Sequence, residues 1–127
     1  MSKKGVDFET VRQLGLALPG VGEFLTYGSP GLRVRQNIMA RIPTHKSAEP
    51  GSLVVRIDCD RRAELLEAAP DIYYVTDHYE PYPYVLVRMS RIHPDALRDL
   101  LGMAWRCAVE KAECPPRPRV RGFTKPR

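Results

Sequence analysis

Arg33, Arg35, Arg41 and Arg56 recur through a Val, Ile and Leu-rich part of the chain, and Arg88 closes a second such run. A guanidinium is planar, permanently charged and presents paired N–H donors that match two oxygens of a phosphate or carboxylate. Just before Arg88 stand Tyr79, Tyr82 and Tyr84, whose flat rings are suited to stacking on nucleobases. Arginine for phosphate and tyrosine for base is a composition that suits nucleic acid. The plain alternative is structural. Sheet arginines also lay their stems over apolar neighbours and pair with cross-strand acids, and tyrosines close the end of a sheet as an aromatic cluster.

His78 lies among Asp77, Tyr79 and Glu80, residue types that serve as general base or metal ligand. Catalysis needs partners within defined reach, and no nucleophile elbow, paired-histidine motif, phosphate-cradling glycine loop or Cys-His signature accompanies it. A loop histidine that holds its turn through a backbone hydrogen bond is the simpler reading, so no catalytic residue, metal or cofactor is expected. Cys59, Cys107 and Cys114 are odd in number and lack Cys-x-x-Cys spacing, which predicts reduced thiols instead of a disulfide framework or zinc site.

The elements that must position these residues follow from periodicity. Phe8, Val11, Leu14 and Leu18 have helical spacing after Asp7, a candidate N-cap, and Pro19-Gly20 ends that helix. Strand-like segments follow near Phe24 to Tyr27, Gly31 to Arg35 and Asn37 to Ile42, with a turn at Gln36-Asn37, then Leu53 to Ile57 after a loop from Pro43 to Gly51. Asp58 or Asp60 caps a short helix through Ala69. Tyr73 to Thr76 and Tyr84 to Met89 read as two strands joined by a loop pinned by Pro81 and Pro83, and Pro94 to about Lys111 as the last helix, with Trp105 on its apolar side.

The order α-β-β-β-β-α-β-β-α predicts an α+β fold, a two-layer sandwich with a largely antiparallel sheet and helices on one face. Alternation points Leu32, Val34, Ile38, Ala40, Ile42, Leu53, Val55, Ile57, Val85, Val87 and Met89 toward the helices. Arg33, Arg35, Met39, Arg41, Val54, Arg56, Tyr84, Leu86 and Arg88 are then expected on an open opposite face.

The stretch containing Thr76, His78, Tyr79, Tyr82, Pro83, Val85, Leu86, Val87 and Arg88 resembles a pattern characteristic of the MmcQ/YjbR family of small bacterial proteins. Leu18 to Val21, Tyr27 to Pro30, Leu32, Val34, Met39 to Ile42 and Ala104 to Arg106 are similar to further blocks of that family, so the resemblance runs from Val6 to Val109. Gly31 departs from it where alanine is common, and the loop from Ile42 to Gly51 is longer and richer in proline than in many relatives. The resemblance implies a secretion-chaperone-like, YjbR-like two-layer domain. It also implies DNA binding, by analogy with the geometry of a "double wing" DNA-binding domain; fold likeness carries function only if a site does so too.

With 127 residues, 43% of them hydrophobic, the chain is expected to form one domain over residues 1–113, followed by a basic, proline-rich tail over 114–127. No apolar run is long enough to span a bilayer and no signal-peptide pattern opens the chain, which predicts a cytoplasmic protein without a membrane partner. The net charge of +5 resides in the tail, in Arg117, Arg119, Arg121, Lys125 and Arg127. The body is polar in its distribution: Phe24 to Ile57 holds five basic residues against Glu49, whereas Asp58 to Pro81 holds seven acids against Arg61 and Arg62. The leading expectation is a DNA-binding domain that uses Arg33, Arg35, Arg41, Arg56 and Arg88. The alternative is a chaperone-like or homodimerising module with Met39, Val54 and Leu86 between the arginines, and an enzyme using His78 is third.

Overall fold

The computed structural model describes residues 5–26 and 28–110. The basic tail therefore lies outside the described residues. Nine elements follow the anticipated order: α1 (Phe8–Leu16), β1 (Val21–Thr26), β2 (Ser29–Val34), β3 (Asn37–Arg41), β4 (Ser52–Arg56), α2 (Cys59–Ala68), β5 (Tyr73–Tyr74), β6 (Tyr84–Arg88) and α3 (Pro94–Glu110). The strands form a single antiparallel sheet in the order β1-β2-β3-β4-β6-β5.

Helix starts are set locally. Asp7 accepts a hydrogen bond from the Thr10 backbone N–H at 3.0 Å and Asp58 accepts one from Arg61 at 2.8 Å, each satisfying an N–H that the helix itself leaves open. Apolar burial then docks the helices on one face of the sheet. Val11 of α1 and Leu97, Leu100, Leu101, Ala104 and Ala108 of α3 pack with Leu32, Val34, Leu53, Val55, Val85 and Val87 in the main core, joined by Leu65 and Leu66 of α2. Trp105 packs against that core and donates its indole N–H to the Pro19 carbonyl at 2.8 Å, which fastens α3 to the end of α1.

Two features depart from simple alternation. Arg33 pairs with Ile38 while Leu32 pairs with Ala40, so Met39 is an extra residue on β3. A bulge of this kind shifts the pleat by one position. Met39 consequently lies fully buried in the main core beside Ala40, and Ile38, expected inward, shares the opposite face with Arg33. The β2–β3 turn falls at Arg35-Gln36, one residue earlier than expected, and Asn37 begins β3 with its side-chain amide donating to the Ala108 carbonyl at 2.7 Å. Cys107 is a free, buried thiol, whereas Cys59 is disulfide-bonded, which corrects the expectation of three reduced thiols.

Candidate nucleic-acid interface

Cross-strand pairing lays out the face away from the helices. One row runs Phe24, Gly31, Arg41, Val54, Leu86 and Tyr74, from β1 to β5. A second runs Gly22, Arg33 and Ile38, whose carbonyl accepts from the Arg56 side chain, and Arg56 pairs with Tyr84. A third holds Ser52 and Arg88. The two halves of this face differ in kind.

The half over β4, β5 and β6 is roofed, contrary to the expectation of an open face. Val54 and Leu86 form a second small core with Tyr79, and Ala48, Tyr74, Val75 and Tyr84 pack around it. The roof is made by the loop before β4 and the loop between β5 and β6, clasped to each other. His45 stacks on His78 with ring centroids 3.6 Å apart, and Tyr79 meets both rings edge-on. The Ser47 hydroxyl lies 2.9 Å from the Thr76 hydroxyl, and the Tyr74 hydroxyl accepts from the Glu49 backbone N–H at 2.8 Å. His78 thus acts through its ring, in place of the anticipated backbone hydrogen bond. The long loop noted in the sequence supplies one half of the roof.

Arg88 belongs to that roof. Its Nε and Nη2 donate to the Glu49 carboxylate at 3.0 and 2.9 Å, its Nη1 donates to the carbonyls of Pro70 and Asp71, and its guanidinium lies 4.4 Å from the centre of the Tyr74 ring. The hydrogen bonds from Arg88 hold the Glu49 carboxyl below its ordinary range. Arg62, which sequence analysis counted only as a charge, is buried and reaches from α2 to donate to the carbonyls of Glu80, Tyr82 and Tyr84 at 3.1, 2.8 and 3.1 Å. No motif marks it. The usable signal was an arginine within an otherwise acidic stretch, next to a loop whose carbonyls lack strand partners.

His45 gives the roof a pH dependence. The Ser47 backbone N–H donates to its Nδ1 at 3.0 Å, so this nitrogen carries no proton and the neutral ring holds its hydrogen on Nε2. Burial, then the proximity of His78 and Lys46, lower its pKa from the ordinary value of 6.5. Between the lowered and ordinary values the unfolded chain binds more protons than the folded one, so stability is complete above about pH 6.5 and falls as the pH drops through the folded pKa. Melting curves between pH 7 and 5 are expected to decline more steeply for the parent than for His45→Asn, whose Oδ1 replaces the acceptor without titrating. Parallel declines would assign the pH dependence elsewhere.

The half over β1, β2 and β3 has a different chemistry. Arg33 and Arg35 are exposed, Arg41 is half-buried, and Phe24 and Ile38 lie among them. Among the described residues, ion pairs engage Arg12, Arg61, Arg62, Arg88 and Arg98, whereas Arg33, Arg35, Arg41 and Arg56, and away from this face Arg91 and Arg106, form none. Arg33 lies 5.8 Å from the centre of the Phe24 ring. Arg56 is buried at the border of the two halves, donates its Nε to the Ile38 carbonyl at 2.7 Å and approaches the Tyr84 ring at 5.5 Å. The structure therefore groups Arg33, Arg41 and Arg56 on one face with Arg35 at its rim, and separates Arg88 from them.

Arg35 has φ of 58°, in the left-handed region that disfavours side chains with a Cβ by about 1 kcal/mol. Glycine is unstrained there. Arg35→Gly is accordingly expected to melt above Arg35→Ala by roughly that free energy, although both lose the same charge. Equal melting temperatures would remove the strain argument.

The fold and the carboxylate-free arginine face define an α+β protein with one antiparallel sheet, one helix-covered side and one half-roofed side. The chain belongs to the YjbR family, whose model matches residues 16–107. Uncharacterized proteins Rv2570 of Mycobacterium tuberculosis and Mb2600 of Mycobacterium bovis are each 35% identical to it over 72 residues, covering 54% of this chain and 56% of theirs. The chain spans about half the length of these curated relatives. The crystal structure of Deinococcus radiodurans protein DR2400, with family-model domain DUF419, superposes with a TM-score of 0.63 at 18% identity, covering 98% of this chain and 87% of that one, a likeness of fold. Among the described residues, no helix is long and apolar enough to cross a membrane and no cluster of His, Cys, Asp and Glu is grouped to hold a metal ion.

Proposed function

We propose that the chain binds nucleic acid, DNA in the first instance, through the face of β1, β2 and β3, with Arg33, Arg35 and Arg41 contacting phosphates and Arg56 bracing the border. The observation that carries this reading is the gathering of Arg33, Arg35 and Arg41 on one carboxylate-free part of this sheet face, without an ion pair among the described residues, whereas Arg88 on the same side of the sheet is paired with Glu49. The strained backbone at Arg35 supports the same reading, because strain persists where a side chain is worth keeping. Arg88 is committed to the roof and drops out of the proposed contacts.

The protein-partner reading loses its apolar anchors. Met39 lies in the main core, and Val54 and Leu86 lie beneath the loops, so none is available to a docking peptide.

Binding of a labelled DNA, titrated across salt concentrations, tests the proposal. Each of Arg33→Ala and Arg41→Ala is expected to weaken binding across unrelated sequences and flatten the log-log salt dependence by nearly one unit, the release of about one counterion per lost phosphate contact. Arg88→Ala should leave the slope unchanged. Slopes insensitive to Arg33 and Arg41 would remove this face from binding.

A further inference from the structure

Resting on the reading of this face as a nucleic-acid surface, we infer that its ligand is a single strand with a base stacked on Phe24 while Arg33 and Arg41 beside it hold the phosphates. Rings and guanidiniums alternate across the sheet: Phe24, then Arg33 and Arg41, then Arg56, then Tyr84. Arg33, exposed, lies 5.8 Å from the centre of the Phe24 ring, so the stacking place comes with a guanidinium, and Tyr84, packed on the small core with the buried Arg56 at 5.5 Å, bounds the site.

The seat of Phe24 is built. Gly31 lies across from it on β2, and a Cβ at Gly31 would come within 2.6 Å of the phenyl ring. The ring thus rests over the β2 backbone in the space that any side chain would fill. A ring held down in this way offers a flat platform at little cost in side-chain entropy, as base stacking on a sheet requires.

Breadth decides against a duplex. The open strands β1, β2 and β3 are continuous with the roofed half, so a body approaching this side meets a sheet that crosses four gaps from β1 to β6, about 19 Å at roughly 4.8 Å each. The major groove is about 12 Å wide and admits a helix or a two-stranded ribbon. Base edges of a duplex therefore stay out of reach of Phe24, whose ring would face only phosphates. A single strand laid across the open strands puts a base on Phe24 and phosphates on Arg33 and Arg41, with tolerance of sequence because every base has a flat face.

The test is fluorescence anisotropy of the full chain with a short labelled oligothymidylate, the matching oligouridylate and a mixed-sequence duplex of equal length. At least one single strand is expected to bind more tightly than the duplex by about five- to hundredfold, the worth of stacking one base; the tighter of the two identifies the preferred sugar. Phe24→Leu, which keeps an apolar side chain without the π face, and Gly31→Ala, which unseats the ring, should each remove most of that advantage, and Phe24→Trp should keep it. Duplex binding equal to or tighter than both single strands overturns the inference. So does single-strand binding unaffected by Phe24→Leu in a variant that melts like the parent. If Arg33→Ala still weakens binding in either case, the arginine face stands without the stacking; if no oligonucleotide binds, both readings fall.

Discussion

Replacing Arg62 with alanine is expected to lower stability by about 3 kcal/mol and the melting temperature by on the order of 10 °C. The guanidinium is buried and donates to the carbonyls of Glu80, Tyr82 and Tyr84, which sit in or beside the loop between β5 and β6. Removing it leaves several carbonyls short of a donor where water has poor access, and such unmet acceptors cost more than the net worth of the bonds themselves. Arg62→Lys retains the charge but not the planar fork, so it should recover only part of the loss. Thermal melting with urea titration checks both variants. A loss under about 0.5 kcal/mol would mean that the loop keeps its shape without Arg62, and that the roof rests on its other contacts.

Leu86→Ala is expected to cost about 2 to 4 kcal/mol, the range for truncating a fully buried leucine. Leu86 has 0% exposure despite lying on the side of the sheet away from the helices, because Tyr79, Tyr74 and Val75 cover it. A leucine on an open sheet face would cost about 0.5 kcal/mol or less. Urea unfolding of Leu86→Ala therefore measures directly whether the roof is closed in solution. Leu86→Ala should also leave the salt dependence of DNA binding unchanged, since the arginines lie on the other half of the face.

The sequence determined much of this protein through patterns that act over a few residues. Asp7 was legible as a cap, and Asp58 as one of two candidates with Asp60, because a cap needs only a side-chain oxygen and a backbone N–H three residues on. The element order and the inward set of Leu32, Val34, Leu53, Val55, Val85 and Val87 followed from period-two alternation, which holds wherever a strand runs unbroken. The arginine-bearing face was legible for the same reason, and Arg33, Arg41 and Arg56 do share it.

What only the tertiary structure decided depends on chain segments far apart in sequence. The bulge at Met39 exchanged the faces of Met39 and Ile38, because the extra residue is defined by pairing with β2, which alternation within β3 cannot register. The fate of each arginine was likewise non-local. Arg88 met Glu49 across 39 positions and Arg62 met the carbonyl of Tyr84 across 22, while Arg33 and Arg41 met no carboxylate among the described residues. Side-chain type states what a guanidinium can bind, whereas the fold decides whether its partner is already part of the protein.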